Sequence, residues 1–346
     1  MGRRACLPRA CDQGHGGKLA EIGKAFGASV IASTRRTPLL LRKGGLVLLV
    51  PSASPASLLE AVAHLPQPKA LLRAGRSEPA FLLCFPLILD PEEIPRPEKT
   101  DAVVLVSPDY GWIRWAKGKG FRAVWANFEG ERCPEIHPLH DLELRQPEDL
   151  KRPWKFELPD LEESLGILHD HGVPQNVVEH SAAVAAVGFF LAERLREKGV
   201  PVDPLLVHRG GLLHDLDKIW SLKEGNNHGE RAAEILEKLG YPKLGEIAKR
   251  HVLRPERLPR TWEEKLVFLA DKLVEGKEVV GIRRRLSALL RRYPEFCEEI
   301  RAGASFISSL QNEVLSLLGM SEPELLAELK MCEKGLLEIL GEGGRK

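Results

Sequence analysis

The spacing of apolar and polar positions divides the chain into two textures. From about 18 to 150, short β-favouring runs at 46–50, 80–85, 102–106 and 123–125 alternate with helically spaced segments at 55–64 and 112–118. Many prolines and glycines punctuate this region. Alternation on that scale predicts a small α/β layer around a mostly parallel sheet over 18–150. A polar, proline-containing stretch follows, and the linker is placed at 151–160. Beyond it the strand signal fades and apolar residues recur at helical intervals. The clearest predicted helix covers 177–198, with Pro174 before it and Gly199-Val200-Pro201 after it. Further helices are predicted over 204–214, 228–239, 244–251, 262–275, 280–291, 296–318 and 322–340, so 161–342 reads as an all-α domain.

Composition narrows the class without naming a partner. The chain has 346 residues, 43% hydrophobic and 29% charged, with a formal net charge of +1, an ordinary globular balance. Such a balance creates no global field that would indicate nucleic acid or an anionic membrane as a partner. The longest apolar runs, 45–50 and 102–106, are strand-sized, far short of the roughly 20 residues a membrane helix needs. The six cysteines (Cys6, Cys11, Cys84, Cys133, Cys297, Cys332) form no Cys-x-x-Cys pair, so neither a zinc knuckle nor a disulfide framework is indicated. Residues 1–17 carry positive charge but no apolar core, and read as a disordered leader rather than a secretory signal. The expectation is a reduced, cytoplasmic protein. The long helices after Phe296 offer a surface for a homodimer.

Candidate chemistry concentrates in the helical half. His214 and Asp215 stand side by side at the end of the apolar segment Gly-Gly-Leu-Leu, where a packed helix normally shows leucine or alanine. An imidazole beside a carboxylate suits iron, manganese, zinc or cobalt. His180 lies on the apolar side of a helix of small residues, and Asp271 interrupts the apolar face Lys-Leu-Val-Phe-Leu-Ala-Asp-Lys-Leu-Val. A bare carboxylate buried there needs a cation or strong donors. These four groups, from three helices, suffice for one metal ion. His228 and His251, at helix ends, add two imidazoles, so that a second ion becomes possible with Asp215 between the two. Taken singly, each residue also has a plainer reading. Asp271 could pair with Lys272 or an arginine, and His228 could be a loop histidine beside the capping residues Asn226 and Asn227. His169, His171 and His208 fit no part of the pattern and read as structural or surface residues.

The order His, His-Asp, His, His, Asp resembles the HD superfamily of metal-dependent phosphohydrolases, over roughly 174–290. The resemblance is closest to the branch whose doublet is followed by Ile-Gly-Lys, here His214-Asp215-Leu216-Asp217-Lys218, with Asp217 in place of the glycine. It implies a helical bundle in which His180, His214, Asp215 and Asp271 are the core ligands. His228 and His251 match the extra histidines of two-metal members, which implies two divalent ions drawn from iron, manganese, cobalt, nickel or zinc. It further implies that Asp215 and Lys218 are catalytic, that Lys218 faces the substrate phosphate, and that Arg250 and Arg254 are further phosphate contacts. The implied reaction is in-line attack on phosphorus by water acidified toward a pKa of ~7, with Asp215 or Asp271 taking or orienting its proton. The implied substrate is a nucleotide or small phosphate ester. A non-catalytic signalling or ligand-binding protein on the same scaffold is the alternative, although such relatives usually lose ligands. A bundle with incidental histidines would leave the six groups dispersed.

In the N-terminal half, the run from Asp101 through Ser107-Pro108-Asp109 to Val124 resembles the last metal-binding loop of haloacid-dehalogenase-like phosphatases. No Asp-x-Asp nucleophile motif accompanies it, so such a domain would be catalytically dead and would serve gating, regulation or oligomerisation. A generic Rossmann-like module fits equally. Neither Gly-x-Gly-x-x-Gly nor a P-loop lysine marks a nucleotide site.

Overall fold

The computed structural model describes residues 39–40, 46–49, 69–72, 88–89, 103–151, 155–224 and 228–332. They fall into two compact units, Leu39–Phe128 with Glu143–Lys155, and Glu129–Leu142 with the chain from Phe156 onward. The expected leader, the elements expected at 55–64 and 80–85, and positions 333–342 lie outside the described residues.

The first unit is built on a small, mostly parallel sheet. Its strands are β1 (Leu46–Leu49), β2 (Lys69–Leu72), β3 (Ile88–Leu89), β4 (Val103–Ser107), β5 (Arg122–Ala126) and β6 (Leu142–Leu144), in the spatial order β3-β2-β1-β4-β5-β6. The pairs β3/β2, β2/β1, β1/β4 and β4/β5 are all parallel. Every residue of β4 and β5 is buried, as expected of parallel strands covered on both faces. Helix α1 (Tyr110–Gly118) links them, and the Asp109 side chain caps it by accepting from the Gly111 amide at 2.8 Å. Strands β2 and β3 carry too few residues for a periodic signal and were not expected from the pattern.

The second unit is helical. Helix α2 (Leu161–Asp170) precedes α3 (Gln175–Glu197) and α4 (Pro204–Leu213), followed by α5 (Lys218–Glu224), α6 (Glu230–Lys238), α7 (Pro242–Arg250) and α8 (Trp262–Leu273). An antiparallel hairpin, β7 (Val274–Glu275) with β8 (Glu278–Val279), leads to α9 (Ile282–Arg292), α10 (Cys297–Leu318) and α11 (Glu322–Cys332). Local chemistry starts the central helices. The Asp203 side chain accepts from Leu205 and Leu206 and Pro204 opens α4, while Thr261 and Glu264 form a capping box at α8. The pattern did not reveal α2, with Gly166 inside it, or α5, which spans barely two turns.

Helix α4 is buried around its whole circumference, so the other helices pack around it. Small residues make this possible. A Cβ on Gly211 would lie 2.7 Å from Ala185 Cα and 2.9 Å from Ala185 N, both backbone atoms of α3. The strap Glu129–Leu142 is fastened to the same helix. Arg209 donates to the carbonyls of Pro138 and Pro159 at 3.0 Å each, and to His208 Nδ1 at 2.6 Å. His208 therefore keeps its proton on Nε2 and donates to His137 Nδ1 at 2.8 Å.

Two predictions follow from this packing. Gly211→Ala forces α3 and α4 apart and should destabilise the protein by about 1–3 kcal/mol, read as a lower midpoint in urea denaturation. Burial, then the Arg209 charge, pushes His137 down from 6.5 to about 4. The unfolded chain binds that proton near pH 6.5 and the folded chain does not until about 4, so stability is full above this window and falls as pH drops through it. The loss should reach about 3 kcal/mol, and His137→Asn, which keeps an acceptor for His208, should flatten the stability-against-pH curve over that range.

Candidate metal centre

All six side chains singled out as ligands converge inside the helical unit. His180 comes from the first turns of α3, His214 caps the C-terminus of α4 with Asp215 next to it, and His251 caps the C-terminus of α7. His228 stands just before α6, and Asp271 lies in the last turn of α8. His180 Nε2 is 3.0 Å from Asp271 Oδ1, and His214 Nε2 is 4.0 Å from that oxygen and 3.7 Å from Asp215 Oδ2. Asp215 Oδ1 is 3.0 Å from His228 Nε2 and 3.4 Å from His251 Nε2, and those two nitrogens are 3.0 Å apart. Two sets, His180/His214/Asp271 and His214/Asp215/His251, each bring one ligand atom per residue within 4.8 Å of one another.

The tautomers follow from the outer partners of the rings. His180 Nδ1 faces the Gly276 carbonyl at 2.8 Å, His214 Nδ1 the Gly211 carbonyl at 2.7 Å, and His251 Nδ1 the Ala248 carbonyl at 2.6 Å. A carbonyl only accepts, so each Nδ1 must carry a proton, and each neutral ring turns its Nε2 lone pair inward. His228 Nδ1 likewise faces the Asp217 carboxylate at 2.8 Å. With the rings neutral, four Nε2 lone pairs and two carboxylates face one another, although burial of His228 is outweighed by Asp215 and Asp217, which raise its pKa. His214 Nε2 is buried with no hydrogen-bond partner at all. An unpartnered buried acceptor among imidazoles and carboxylates is what a divalent cation would satisfy, so the residues present fit such ions.

The surrounding charges keep the carboxylates ionised. Burial would raise Asp215, but the Lys218 charge, and after it the His214, His228 and His251 rings that face it, hold it well below the usual carboxylate range. Burial opposes Asp271 likewise, and is outweighed by Lys272, the facing His180 ring and Arg285. Lys272 Nζ binds Asp271 Oδ2 and also the His251 carbonyl at 3.0 Å. Arg285 reaches Asp271 Oδ1 at 3.3 Å and its backbone oxygen at 3.2 Å, and it also pairs with Glu275. Burial pushes His214 down to about 3, which keeps its ring neutral. Lys218 Nζ lies 3.2 Å from Asp215 Oδ2, and its side chain is 30% exposed. Burial disfavours its charge, but Asp215 and Asp271 hold Lys218 above its ordinary value.

Two further candidates, Arg250 and Arg254, flank His251 in the chain. The Arg250 guanidinium pairs with Glu246 at 3.0 Å and Glu264 at 3.7 Å and donates to the Leu258 carbonyl. Its partners are thus within the bundle rather than at the cluster. Arg254 is half-buried at the start of the short 3-10 turn Pro255–Arg257. The sequence reading gave no role to Arg285, and none to Asp217 beyond its departure from glycine. The plainer reading of Asp271, a pair with Lys272, is present together with its contact to His180. Nothing in the spacing pointed to Arg285, which reaches Asp271 from another helix.

Comparison with known proteins bears on this site. Residues 177–275 match the HD domain family. The chain is 41% identical over 138 residues to an uncharacterized protein of Methanocaldococcus jannaschii, covering 36% of this chain and 80% of that protein. It is 34% identical over 131 residues to a Ribonuclease Y of Aquifex aeolicus, covering 37% of this chain but 22% of that protein. It is also 26% identical over 188 residues to a tRNA (cytidine(56)-2'-O)-methyltransferase of Picrophilus torridus, covering 50% of this chain and 51% of that protein. No solved structure matches the chain. Residues 177–275 are therefore an HD domain, of a family whose members bind divalent metals and are generally phosphohydrolases. The expected haloacid-dehalogenase-like resemblance of the N-terminal half is not supported, and Asp109 of its suggestive loop serves as the cap of α1. Among the described residues no helix is long and apolar enough to cross a membrane.

If the cluster takes divalent ions, their binding must stabilise the fold. Manganese at about 100 times its dissociation constant should add about 2.7 kcal/mol, seen as a rise in Tm that a chelator reverses. Asp271→Asn should abolish most of that rise, whereas a wild-type Tm indifferent to manganese, cobalt, nickel, iron and zinc would refute the fit.

Proposed function

We propose that the helical unit is a metal-dependent phosphohydrolase that acts on a phosphate ester or anhydride. The observation that carries this reading is the convergence of the buried His180, His214 and His251 Nε2 atoms with two carboxylates, joined by the half-buried His228, with His214 Nε2 lacking any hydrogen-bond partner. On this reading His180, His214 and Asp271 would hold one divalent ion, and Asp215, His228 and His251 would hold a second. Ions held there supply Lewis acidity, which acidifies water and offsets charge on a phosphoryl group.

The chain's own residues divide the remaining work. His228 and Lys218, with side chains 23% and 30% exposed, form the open side of an otherwise buried cluster. Substrate therefore approaches past them. Lys218 faces the phosphate as a compact charge and neutralises the oxygens that gain charge during displacement. Asp215, the carboxylate closest to this open side, accepts or orients the proton of the attacking water. Arg254, beyond His251 in the chain, is the second phosphate contact. Arg250, already engaged by Glu246 and Glu264, is better placed to support α7 and α8.

For the substrate, the first reading is a nucleotide or other small phosphate ester. The names of two relatives, a ribonuclease and a tRNA-modifying enzyme, favour a phosphodiester within RNA as the second. The strand order β3-β2-β1-β4-β5-β6 supports a Rossmann-like reading of the first unit, since that order is the one known from dinucleotide-binding sheets.

The test is a panel of nucleotides, phosphomonoesters, model diesters and short RNA, assayed with manganese, iron, cobalt or nickel. Asp215→Ala should lose metal-dependent turnover on whichever substrate is cleaved. Lys218→Ala should lower kcat/KM about 100- to 1,000-fold, with partial recovery in Lys218→Arg. An Asp215→Ala protein that keeps full turnover would end the proposal.

A further inference from the structure

We infer that Asp217, which stands where the resemblance puts a glycine, is a positioning residue that sets the tautomer of His228 and thereby turns His228 Nε2 toward a metal ion. The inference rests on the reading above, in which His228 is a ligand.

Asp217 is fully buried, a placement that a carboxylate tolerates only with strong donors. The structure provides three. Its Oδ1 accepts from His228 Nδ1 at 2.8 Å, and its Oδ2 accepts from the backbone amides of Gly229 at 2.8 Å and Ala232 at 3.1 Å. Those amides belong to the start of α6, whose cap residue Gly229 provides no side-chain cap of its own. One carboxylate thus closes the open end of α6 and holds the imidazole of the residue just before it. Gly229 has φ +86, and a Cβ there would lie 2.5 Å from the Ala248 carbonyl oxygen, so the turn bearing His228 also packs tightly on the last turn of α7. The ring that results presents Nε2 to Asp215 Oδ1 and to His251 Nε2, both at 3.0 Å.

The three donors are not equivalent. The two backbone amides cannot become acceptors, whereas an imidazole can move its proton from one nitrogen to the other. An amide side chain in place of the carboxylate would therefore keep its oxygen on Gly229 and Ala232 and turn its NH2 toward His228. The ring, whose Nδ1 also lies 3.3 Å from Ser221 Oγ, would then accept at Nδ1 from the nearer amide and carry its proton on Nε2, closing that nitrogen to a metal. Asp217→Asn separates the two roles, since it preserves the cap of α6 and reverses the tautomer. Hydrogen-bonded partners behind a ligand histidine commonly alter metal affinity by about 10- to 100-fold.

The experiment compares the full-length wild type, Asp217→Asn, Asp217→Gly and His228→Ala by manganese titration, and by imidazole nitrogen NMR of the metal-free proteins at alkaline pH, where the ring is neutral. The wild type should bind two ions and show His228 protonated on Nδ1. His228→Ala should lose one ion. Asp217→Asn should weaken that same ion by about 10- to 100-fold, leave the other unchanged, and move the His228 proton to Nε2, while Asp217→Gly should weaken it without fixing either tautomer. Wild-type affinity for both ions in Asp217→Asn, with one ion lost in His228→Ala, overturns the inference and leaves the metal reading standing. A wild-type spectrum with the proton on Nε2 overturns it as well, even if a variant fails to fold. Undiminished binding by His228→Ala removes His228 from the metal reading and the inference with it.

Discussion

The interaction on which the rest depends is the backbone hydrogen bond behind each inward-facing imidazole. At the C-terminus of α4, His214 turns Nδ1 back to the Gly211 carbonyl, and at the C-terminus of α7, His251 does the same to Ala248. The last carbonyls of any helix lack intrahelical donors, so both histidines satisfy an orphan acceptor as they end their helices. The same bond decides which nitrogen faces the cluster. His180 sits inside α3, where carbonyls are already used, and takes its partner from Gly276 in the turn of the β7–β8 hairpin. That turn requires φ +59 at Gly276, a backbone angle that glycine adopts without strain. Helix termination and ligand orientation are thus one event at two positions, and a glycine turn serves the same end at the third.

Packing supplies the rigidity. A helix buried on every side, carrying Gly210 and Gly211 against α3 and α7, brings the doublet within reach of groups from three other helices. Lys272 and Arg285 hold Asp271 from both oxygens, so that its carboxylate keeps its charge and direction although it is buried. The cluster is therefore polar but not short of cations around its edge.

Much of this was legible in the residues. His214-Asp215 at the end of an apolar helix, Asp271 on an apolar face and His180 among alanines each put a polar group where packing wants none, and those are the positions that converge. The helix starts expected at 204 and 262 agree with the structure, where capping chemistry that acts within a few residues fixes them. Other features were hidden because they depend on groups distant in sequence. Arg285 reaches Asp271 from the next helix, Arg209 grips carbonyls at Pro138 and Pro159, and Asp217 finds its partners only once α6 has folded back toward the doublet. Helix α5 and strands β2 and β3 are too short for periodicity to register. Arg250 was expected as a phosphate contact only through the resemblance, whereas Glu246, four residues before it, and Glu264 from α8 engage it.

The central claim is that the inward lone pairs exist to hold divalent cations. Anomalous diffraction at the manganese edge, from crystals grown with that metal, tests it without reference to any substrate. The account predicts peaks within direct ligand distance of the inward Nε2 atoms and the carboxylate oxygens, one beside His180, His214 and Asp271 and another beside Asp215, His228 and His251. A map with no anomalous density among these six residues, their rings bridged instead by protons or ordered water, would contradict it.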